Sequence, residues 1–265
     1  MGEATTDTQT PVLKATAIRK TFGHVQALKG VDFEVGAGEV HALVGDNGAG
    51  KSTFIKIVSG VVRADSGALF VDGKPADIRS PEDAQKLGIE TVYQDLAIAE
   101  ALDLGENIFL GRELLRPGIL GRLGFVDRAE MRRQGMAHLT RLGTSIPSPS
   151  LPLESMSGGQ KQAVAVARAA VWGQRVLILD EPAAALGVRQ TAQVLDLVRR
   201  SAREGGLGII FISHNVPQVL DVADRITVLR QGRVCLYCKG PEATVDLLVR
   251  AMSGLLDPDE TENAP

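Results

Sequence analysis

A glycine-rich run at residues 45–53 has the composition and spacing of a phosphate-binding loop. It fits the pattern G-x-x-x-x-G-K-[ST], in which glycines allow backbone N–H groups to close around a β-phosphate. Lys51 would place its ammonium on the β- and γ-phosphates, and the Ser52 hydroxyl would bind Mg²⁺. We therefore predict a nucleotide site formed by Gly45, Asp46, Asn47, Gly48, Ala49, Gly50, Lys51, Ser52 and Thr53.

Two carboxylates at the end of a short apolar run form a second chemical group. Asp180 and Glu181 directly follow the apolar residues 176–179. Such a run predicts a buried strand, and α/β sheets bind their ligands at the C-terminal ends of strands. We expect Asp180 to hold Mg²⁺, directly or through water, and Glu181 to orient or deprotonate an attacking water. The alternative is a strand that ends in a solvated acidic turn.

A third motif, Ser157-Gly158-Gly159-Gln160, precedes a run of small residues at 161–169 that predicts a helix. Backbone N–H groups at a helix N-terminus, together with the helix dipole, suit a γ-phosphate. The alternative is an ordinary flexible loop.

The elements that must position these groups are predicted from hydrophobic periodicity and turn residues. A strand at 40–44 delivers the chain to the glycine-rich loop, and a helix at 51–58 follows it, which is the order that a phosphate loop requires. Strands and helices then alternate after residue 175, which favours parallel strands with right-handed crossovers. The predicted strands are 31–35, 67–73 (one arm of a small antiparallel sheet), 89–93, 176–179, 208–212 and 226–229, and the later helices are 188–203 and 216–223.

Residues 95–156 lack strand signals. Helical stretches are predicted at about 103–113 and 127–142, separated by a glycine-bearing loop at 116–124. We interpret this region as a helical subdomain inserted into an α/β core.

Composition restricts the classes of protein that fit. The chain has 265 residues, 44% of them hydrophobic, and a formal net charge of −3 without a basic block, so a nucleic-acid partner is not expected. No run of about 18 apolar residues occurs, so no membrane span is expected. Cys235 and Cys238 are interpreted as ordinary strand cysteines, because no second ligand pair for zinc accompanies them. Residues 1–11 and 255–265 are predicted to be flexible tails.

Taken in order, the motifs resemble those of the ATP-binding-cassette (ABC) ATPases over nearly all of residues 12–252. The resemblance implies a P-loop NTPase (RecA-like) α/β core at about 12–94 and 160–252, with an antiparallel β subdomain. It also implies an inserted helical signature subdomain at about 95–159. One phosphate loop and one signature run occur in the sequence, which indicates a single cassette.

The same resemblance assigns roles that the residues alone do not. Ser157, Gly158, Gly159 and Gln160 match the signature that reaches across to the ATP of a partner subunit. Gln94 matches the glutamine that contacts Mg²⁺ and the water, and His214 matches the histidine that touches the γ-phosphate. Phe22 matches the aromatic residue that stacks on adenine, the alternative being a core phenylalanine. An isolated histidine after a strand would otherwise be a surface residue.

More narrowly, residues 38–43, 45–51, 106–113 and 212–215 resemble the carbohydrate-importer branch, and a single cassette is more similar to its fructose-type ATPases. This implies ATP and Mg²⁺ as cofactors, and a homodimer that sandwiches two ATP molecules. It also implies an integral-membrane permease, indirectly a periplasmic or extracytoplasmic sugar-binding protein, and a place on the cytoplasmic face of the inner membrane. The alternatives are an ABC ATPase for export or lipid transport, one acting in DNA repair or translation, and a regulatory subunit with little turnover.

Two positions depart from the family pattern. Ala183 stands where the family usually has Thr, and residues 184–187 end in Gly187 where its D-loop usually ends in Asp. Sugar-type relatives also have Gly at the last of these positions, so an inactive site is not inferred, and the consequence expected of Gly187 is the loss of any communication between sites that relies on a D-loop carboxylate. The segment 95–100, apolar for a loop, is expected to dock the permease, and the alternative is that Leu96 and Ile98 pack under the subdomain.

Overall fold

A six-stranded, mostly parallel sheet lies at the centre of the fold. The computed structural model describes residues 10–143, 149–184 and 186–256. The strands of the central sheet are β3 (Val40–Val44), β6 (Ile89–Val92), β7 (Val176–Asp180), β8 (Gly208–Ile212), β9 (Arg225–Arg230) and β10 (Arg233–Lys239). The first five of these strands are parallel, and β10 adds an antiparallel edge in the order β10-β9-β3-β8-β7-β6.

A second sheet is antiparallel and packs against one face of the first. Its order is β2-β1-β4-β5, with β1 (Leu13–Phe22), β2 (Val25–Val35), β4 (Ser66–Val71) and β5 (Lys74–Ala76). Apolar side chains from this sheet, from helix α1 (Lys51–Val58) and from the central strands form one continuous core cluster that includes Leu13, Phe54 and Ile178. The antiparallel sheet and the core predicted from the sequence are therefore both present.

Helices cover the opposite face of the central sheet. They are α6 (Gly158–Trp172), α7 (Val188–Arg203), α8 (Val216–Val222) and α9 (Val245–Ser253), and their apolar residues form a second core cluster with Leu177 and Phe211. The remaining helices are α2 (Pro81–Lys86), α3 (Leu104–Ile108), α4 (Ile119–Arg122) and α5 (Arg128–Arg141), with short 3₁₀ turns at Leu153–Ser155 and Gly240–Glu242. Within the described residues, none of these helices combines the length and the apolar character needed to cross a bilayer.

Helix α6 joins the helical region to the central sheet. Val164 and Ala167 pack with α3 and α5 in a third cluster, whereas Ala165 and Val166 belong to the cluster on the sheet. Small side chains all round this helix allow neighbours to approach it from both sides, which is why the sequence at 161–169 is so rich in alanine and valine. The boundaries of the inserted subdomain at 95 and 159 remain a prediction.

Two details of the helical region differ from the sequence-based prediction. The helix expected at 103–113 ends at Ile108, because Gly111 adopts φ 75° and its N–H donates to the Glu113 carboxylate instead of continuing the helix. The loop expected at 116–124 contains α4, a four-residue helix. Of the predicted tails, all but residues 10, 11, 255 and 256 lie outside the described residues.

Candidate nucleotide site

The glycine-rich loop connects β3 to α1, and two of its positions leave no room for a side chain. Gly45 has φ 147°, and a Cβ there would overlap the carbonyl oxygen of Leu229. Gly50 has φ 113° and caps α1, and a Cβ there would lie 2.8 Å from the Ala27 carbonyl oxygen. Both positions require glycine for conformation and for space, so the two glycines of the motif are structural necessities of this loop.

Lys51 starts α1 and folds back over the loop. Its Nζ donates to the carbonyl oxygens of Gly45 at 2.5 Å and Asp46 at 3.0 Å. Burial lowers the pKa of the Lys51 ammonium, and the carboxylates of Glu181, Asp180 and Asp46 act in the opposite direction. The arrangement places one cation, held by backbone oxygens, in the electrostatic field of the acidic residues at the end of β7.

An open cavity of about 490 Å³ lies directly beside this loop. Residues 47–53 form one wall, and the start of β2 and the turn between β9 and β10 form the others. Sequence reasoning missed Val25, Lys29 and Gln231 as lining residues. The turn is tied to its neighbours by backbone hydrogen bonds, since Lys29 N donates to Gly232 O at 2.8 Å and Gly232 N to Ala49 O at 2.9 Å. Only tertiary structure brings residue 231 here, and no local signal marks it.

Phe22 lies at the end of β1, beside this cavity's β2 wall. It pairs across the hairpin with Val25, and both side chains are exposed. The Lys20 ammonium lies 5.5 Å from the centre of the Phe22 ring. Phe22 is therefore a surface aromatic, and the core position considered as its alternative is not what this structure shows.

Asp180 and Glu181 end β7 on the edge of the sheet that carries the loop. Asp180 is paired in register with Ile212 of β8, two residues before His214. Burial, followed by the charge of Glu181, raises the pKa of the Asp180 carboxyl, whereas the Lys51 ammonium lowers it. A partly buried carboxylate in this setting is stabilised by additional positive charge.

Glu181 and His214 form a direct pair. Glu181 Oε1 accepts from the His214 backbone N–H at 3.0 Å and lies 2.6 Å from His214 Nδ1. Glu181 has φ 53°, a left-handed conformation that is uncommon for a side-chain-bearing residue, and its N–H donates to Ile212 O at 2.9 Å. The end of β7 thus holds the Glu181 side chain in a defined position on a strained backbone, and such backbone strain is frequent at functional sites.

Gln94 follows β6, the strand next to β7 in the sheet. Val92 is in register with Leu179, so the exposed Gln94 side chain lies past the same strand ends as Asp180. The segment after it is held by α6, because Arg168 donates to the carbonyl oxygens of Leu96 at 3.2 Å and Ala97 at 2.9 Å. This link joins the loop of Gln94 to the helix that begins at the signature motif.

The signature motif begins α6 with a reciprocal cap. Ser157 Oγ accepts from Gln160 N at 3.4 Å, and Gln160 Oε1 accepts from Ser157 N at 2.9 Å. Gly158 has open space around it, whereas a Cβ at Gly159 would lie 2.5 Å from Gln190 of α7. Residues 157–160 do not line the cavity at the glycine-rich loop. Within one chain, the two motifs form separate surfaces.

The structure describes residues 183, 184, 186 and 187 of the segment that departs from the family pattern. Ala183 is buried, and Ala184 N donates to Glu181 O at 3.1 Å. Residue 185 of the D-loop lies outside the described residues. Gly187 caps α7, and its N–H donates to Gln190 Oε1 at 2.9 Å. Gln190 therefore contacts both the signature glycine Gly159 and the D-loop glycine.

The two cysteines lie on β10, as predicted, and are free thiols. Burial raises the pKa of the Cys238 thiol to about 11, so it is protonated at neutral pH. Among the described residues, no cluster of three or more His, Cys, Asp and Glu side chains could hold a metal ion.

Comparison with known proteins agrees with this geometry. The profile of the ABC transporter family matches residues 28–184. The fructose import ATP-binding protein FrcA of Rhizobium meliloti is 46% identical over 252 residues, covering 94% of this chain and 96% of that protein. A ribose import ATP-binding protein, RbsA 1 of Rubrobacter xylanophilus, is 44% identical over 92% of this chain, which spans 47% of that relative.

Among solved structures, cbiO1 from Clostridium perfringens, part of the ABC transporter complex cbiONQ, superposes with a TM-score of 0.74 at 28% identity. The match covers 94% of this chain and 96% of cbiO1. The phosphate loop, the acidic strand end and the capped signature helix thus occur on the fold and in the sequence family in which they were expected. The chain belongs to the ATP-hydrolysing cassette proteins of the ABC transporter family.

Proposed function

We propose that this chain is the ATP-hydrolysing subunit of an importer for a monosaccharide. The observation that carries the proposal is the pair Glu181–His214, which lies at the strand ends together with Asp180 and the Lys51 ammonium. The fructose and ribose import proteins named above support the substrate class. ATP is the nucleotide of the family.

In this proposal the glycine-rich loop and the cavity beside it bind ATP. The backbone N–H groups of residues 45–53 close around the phosphates, and Lys51 exchanges its two carbonyl partners for β- and γ-phosphate oxygens. The exposed Phe22 ring stacks on the adenine. Val25, next to it across the hairpin, extends the apolar surface offered to the base.

The donors present fit a magnesium ion bound together with the nucleotide. Asp180, the exposed Ser52 hydroxyl and the Gln94 amide supply oxygen ligands, which Mg²⁺ prefers, and phosphates and waters complete such sites. Burial and the charge of Glu181 raise the pKa of the Asp180 carboxyl, so a cation bound beside it would stabilise its ionised form. When bound, the ion would neutralise charge on the phosphates.

Glu181 is proposed to orient the attacking water and accept its proton. Oε1 is already occupied by the backbone N–H and the ring of His214, so the other oxygen, Oε2, would accept the proton of the water. His214 is 71% exposed in its side chain, and its ring can turn from Glu181 to a γ-phosphate oxygen. The chemistry is phosphoryl transfer to water, for which positioning and charge stabilisation provide most of the catalysis.

The separation of the two motifs supports a dimer. Because residues 157–160 do not line the cavity of their own chain, a second copy must present its signature for the motif to meet a γ-phosphate. The exposed Ser157 and the open space at Gly158 leave this helix start accessible. ATP bound between two copies provides the differential affinity that drives closure.

A separate integral-membrane permease and, indirectly, an extracytoplasmic sugar-binding protein complete the proposed importer, with this chain on the cytoplasmic face of the inner membrane. Leu96 and Ile98 are partly buried against the core cluster of the central sheet and its helices, and they are not members of the cluster formed by α3, α5 and α6 under which the alternative placed them. Asp95, Ala97 and Glu100 are the exposed residues of the segment 95–100. They are what the segment offers to the permease.

Glu181→Gln tests the proposal. We expect the steady-state ATPase rate to fall by about 10²–10⁴-fold, because the amide cannot take the proton, while ATP binding is retained. Gel filtration with ATP should show a dimer for this variant. Glu204→Gln, an exposed carboxylate at the end of α7, is the matched control and should keep wild-type turnover. An ATPase rate within threefold of wild type for Glu181→Gln would refute the assignment of Glu181.

A further inference from the structure

Residues 114–126 form a folded projection of the helical region, which we call the apolar tip. Its two ends are joined by a backbone hydrogen bond from Arg116 N to Phe125 O at 2.8 Å. At its base, Leu114 and Val126 pack against the core cluster of α3, α5 and α6. The base is therefore anchored in the core, and the rest of the apolar tip extends from it.

The backbone of the apolar tip is compact and forms several hydrogen bonds within the segment. A Cβ at Gly121 would overlap the carbonyl oxygen of Arg116, so the chain segments touch backbone to backbone. Leu123 N donates to Ile119 O at 3.1 Å, and Gly124 N to Gly121 O at 2.9 Å. Each backbone group that is bonded within the segment loses less when it leaves water than a group that was bonded to water.

The side chains of the apolar tip are apolar and face solvent. Ile119 is 76% exposed and Leu123 68% exposed. Three further large apolar residues of the same segment are about half exposed, namely Leu115, Leu120 and Phe125. Soluble proteins rarely display so many large apolar side chains together unless the patch binds something.

The charge of the apolar tip is purely basic. Arg116 and Arg122 are exposed, and neither makes an ion pair with any residue that the structure describes. Residues 114–126 contain no carboxylate, although the whole chain carries a net charge of −3. The neighbouring Arg112, by contrast, is paired with Glu90 at 2.7 Å. The surface thus combines exposed apolar side chains with two cations that have no anion.

We propose that the apolar tip inserts into the surface of an anionic lipid bilayer. Ile119, Leu123 and Phe125 would enter the boundary between headgroups and acyl chains, and Arg116 and Arg122 would contact headgroup phosphates. A bilayer with anionic headgroups fits better than a folded protein partner, because the exposed apolar side chains of residues 114–126 are accompanied by two cations and by no carboxylate. The inference stands on this surface alone and does not depend on the nucleotide site.

Co-sedimentation of the full chain with vesicles tests the proposal. We expect binding to phosphatidylcholine vesicles that contain 30% phosphatidylglycerol, and much weaker binding to phosphatidylcholine alone. Ile119→Ser/Leu123→Ser should lower the partition coefficient by at least about tenfold, because two exposed apolar side chains no longer leave water on binding. The control, Val245→Ser/Val249→Ser on α9, removes two apolar side chains that are about half exposed and should bind like wild type.

The charge is tested separately. Arg116→Gln/Arg122→Gln should lower binding to the anionic vesicles by about tenfold and remove the preference over neutral vesicles. Arg63→Gln/Lys86→Gln, which removes two exposed cations elsewhere, should leave that preference unchanged. Unaltered ATPase activity and thermal midpoints of all variants establish that each one is folded.

A third measurement reports insertion directly. In Phe125→Trp, brominated lipids should quench the new fluorescence, whereas the wild-type chain, whose single tryptophan Trp172 donates to Ile108 O at 2.7 Å, supplies the unquenched baseline. The proposal is overturned if the wild-type chain does not bind the anionic vesicles, or if Ile119→Ser/Leu123→Ser binds as tightly as wild type. It is also overturned if the apolar variant changes only self-association in sedimentation velocity, which would make a second copy the occupant.

Discussion

His41 makes the stability of this fold depend on pH, in a way that can be calculated from its surroundings. The side chain lies on β3 and is completely buried. Nδ1 lies 2.5 Å from the Glu34 carbonyl oxygen and Nε2 lies 2.8 Å from Thr227 Oγ1. Because a carbonyl oxygen only accepts, Nδ1 carries the proton, and Nε2 accepts from the threonine hydroxyl. The neutral ring satisfies both contacts.

Burial, with the Arg225 charge as a second cause, lowers the pKa of His41 from 6.5 to about 3, although the hydrogen bond to Glu34 opposes this shift. Between pH 6.5 and pH 3 the His41 ring is therefore protonated in the unfolded chain and neutral in the folded chain. Stability from the neutral ring is fully present above pH 6.5 and is lost as the pH falls toward 3. At 1.36 kcal/mol per pH unit, His41 costs about 2.7 kcal/mol of unfolding free energy on going from pH 7.5 to pH 4.5.

Urea denaturation across this range measures the effect by difference. His41→Gln cannot titrate, so wild type should lose about 2.7 kcal/mol more than the variant between pH 7.5 and 4.5. Subtracting the loss measured for His41→Gln from that of wild type removes the contribution of the carboxylates, which titrate in both chains. Thr227→Val removes a partner of His41 but keeps the titrating ring, so it should be less stable and retain the wild-type pH dependence. Equal losses in wild type and His41→Gln would refute the reasoning.

Two further predictions concern the nucleotide site. Lys51→Ala should abolish ATP binding measured by calorimetry, because the phosphates lose the cation that folds over the loop. Lys86→Ala, a change at an exposed site, should bind ATP normally. Unchanged affinity in Lys51→Ala would reject the phosphate-loop assignment. Gly187→Asp should fold at least as well as wild type, because Asp is a preferred N-cap and only the mobile end of Gln190 must move. Gly187→Asp should change the ATPase turnover by less than about tenfold. A much larger gain in the ATPase rate would favour the alternative of a regulatory subunit whose turnover Gly187 limits.

Local elements could be predicted closely from the sequence because short-range rules determine them. The helix at 51–58, the helix at 188–203 and the strand at 40–44 have the predicted bounds. Glycine freedom, capping and periodicity act over a few residues, so one window of sequence contains the information. The helix predicted at 103–113 was too long because Gly111 adopts a left-handed conformation that apolar periodicity does not reveal.

The candidate site was predictable in its residue types and less so in its contacts. Motif spacing indicated a phosphate loop and an acidic strand end. It did not show that Glu181 would be bonded to His214, 33 residues away, or that Gln231 would line the cavity.

The sequence by itself determined which groups this protein can offer to a nucleotide, because their chemistry resides in residue types at fixed local spacing. Only the tertiary structure decided how those groups are distributed. Strand order places β7 between β6 and β8, which brings Asp180 and His214 to one edge. The packing of α6 leaves the signature away from its own loop, and the fold of residues 114–126 turns apolar side chains to solvent. These arrangements depend on the packing of segments far apart in the chain, whose contacts no local pattern encodes.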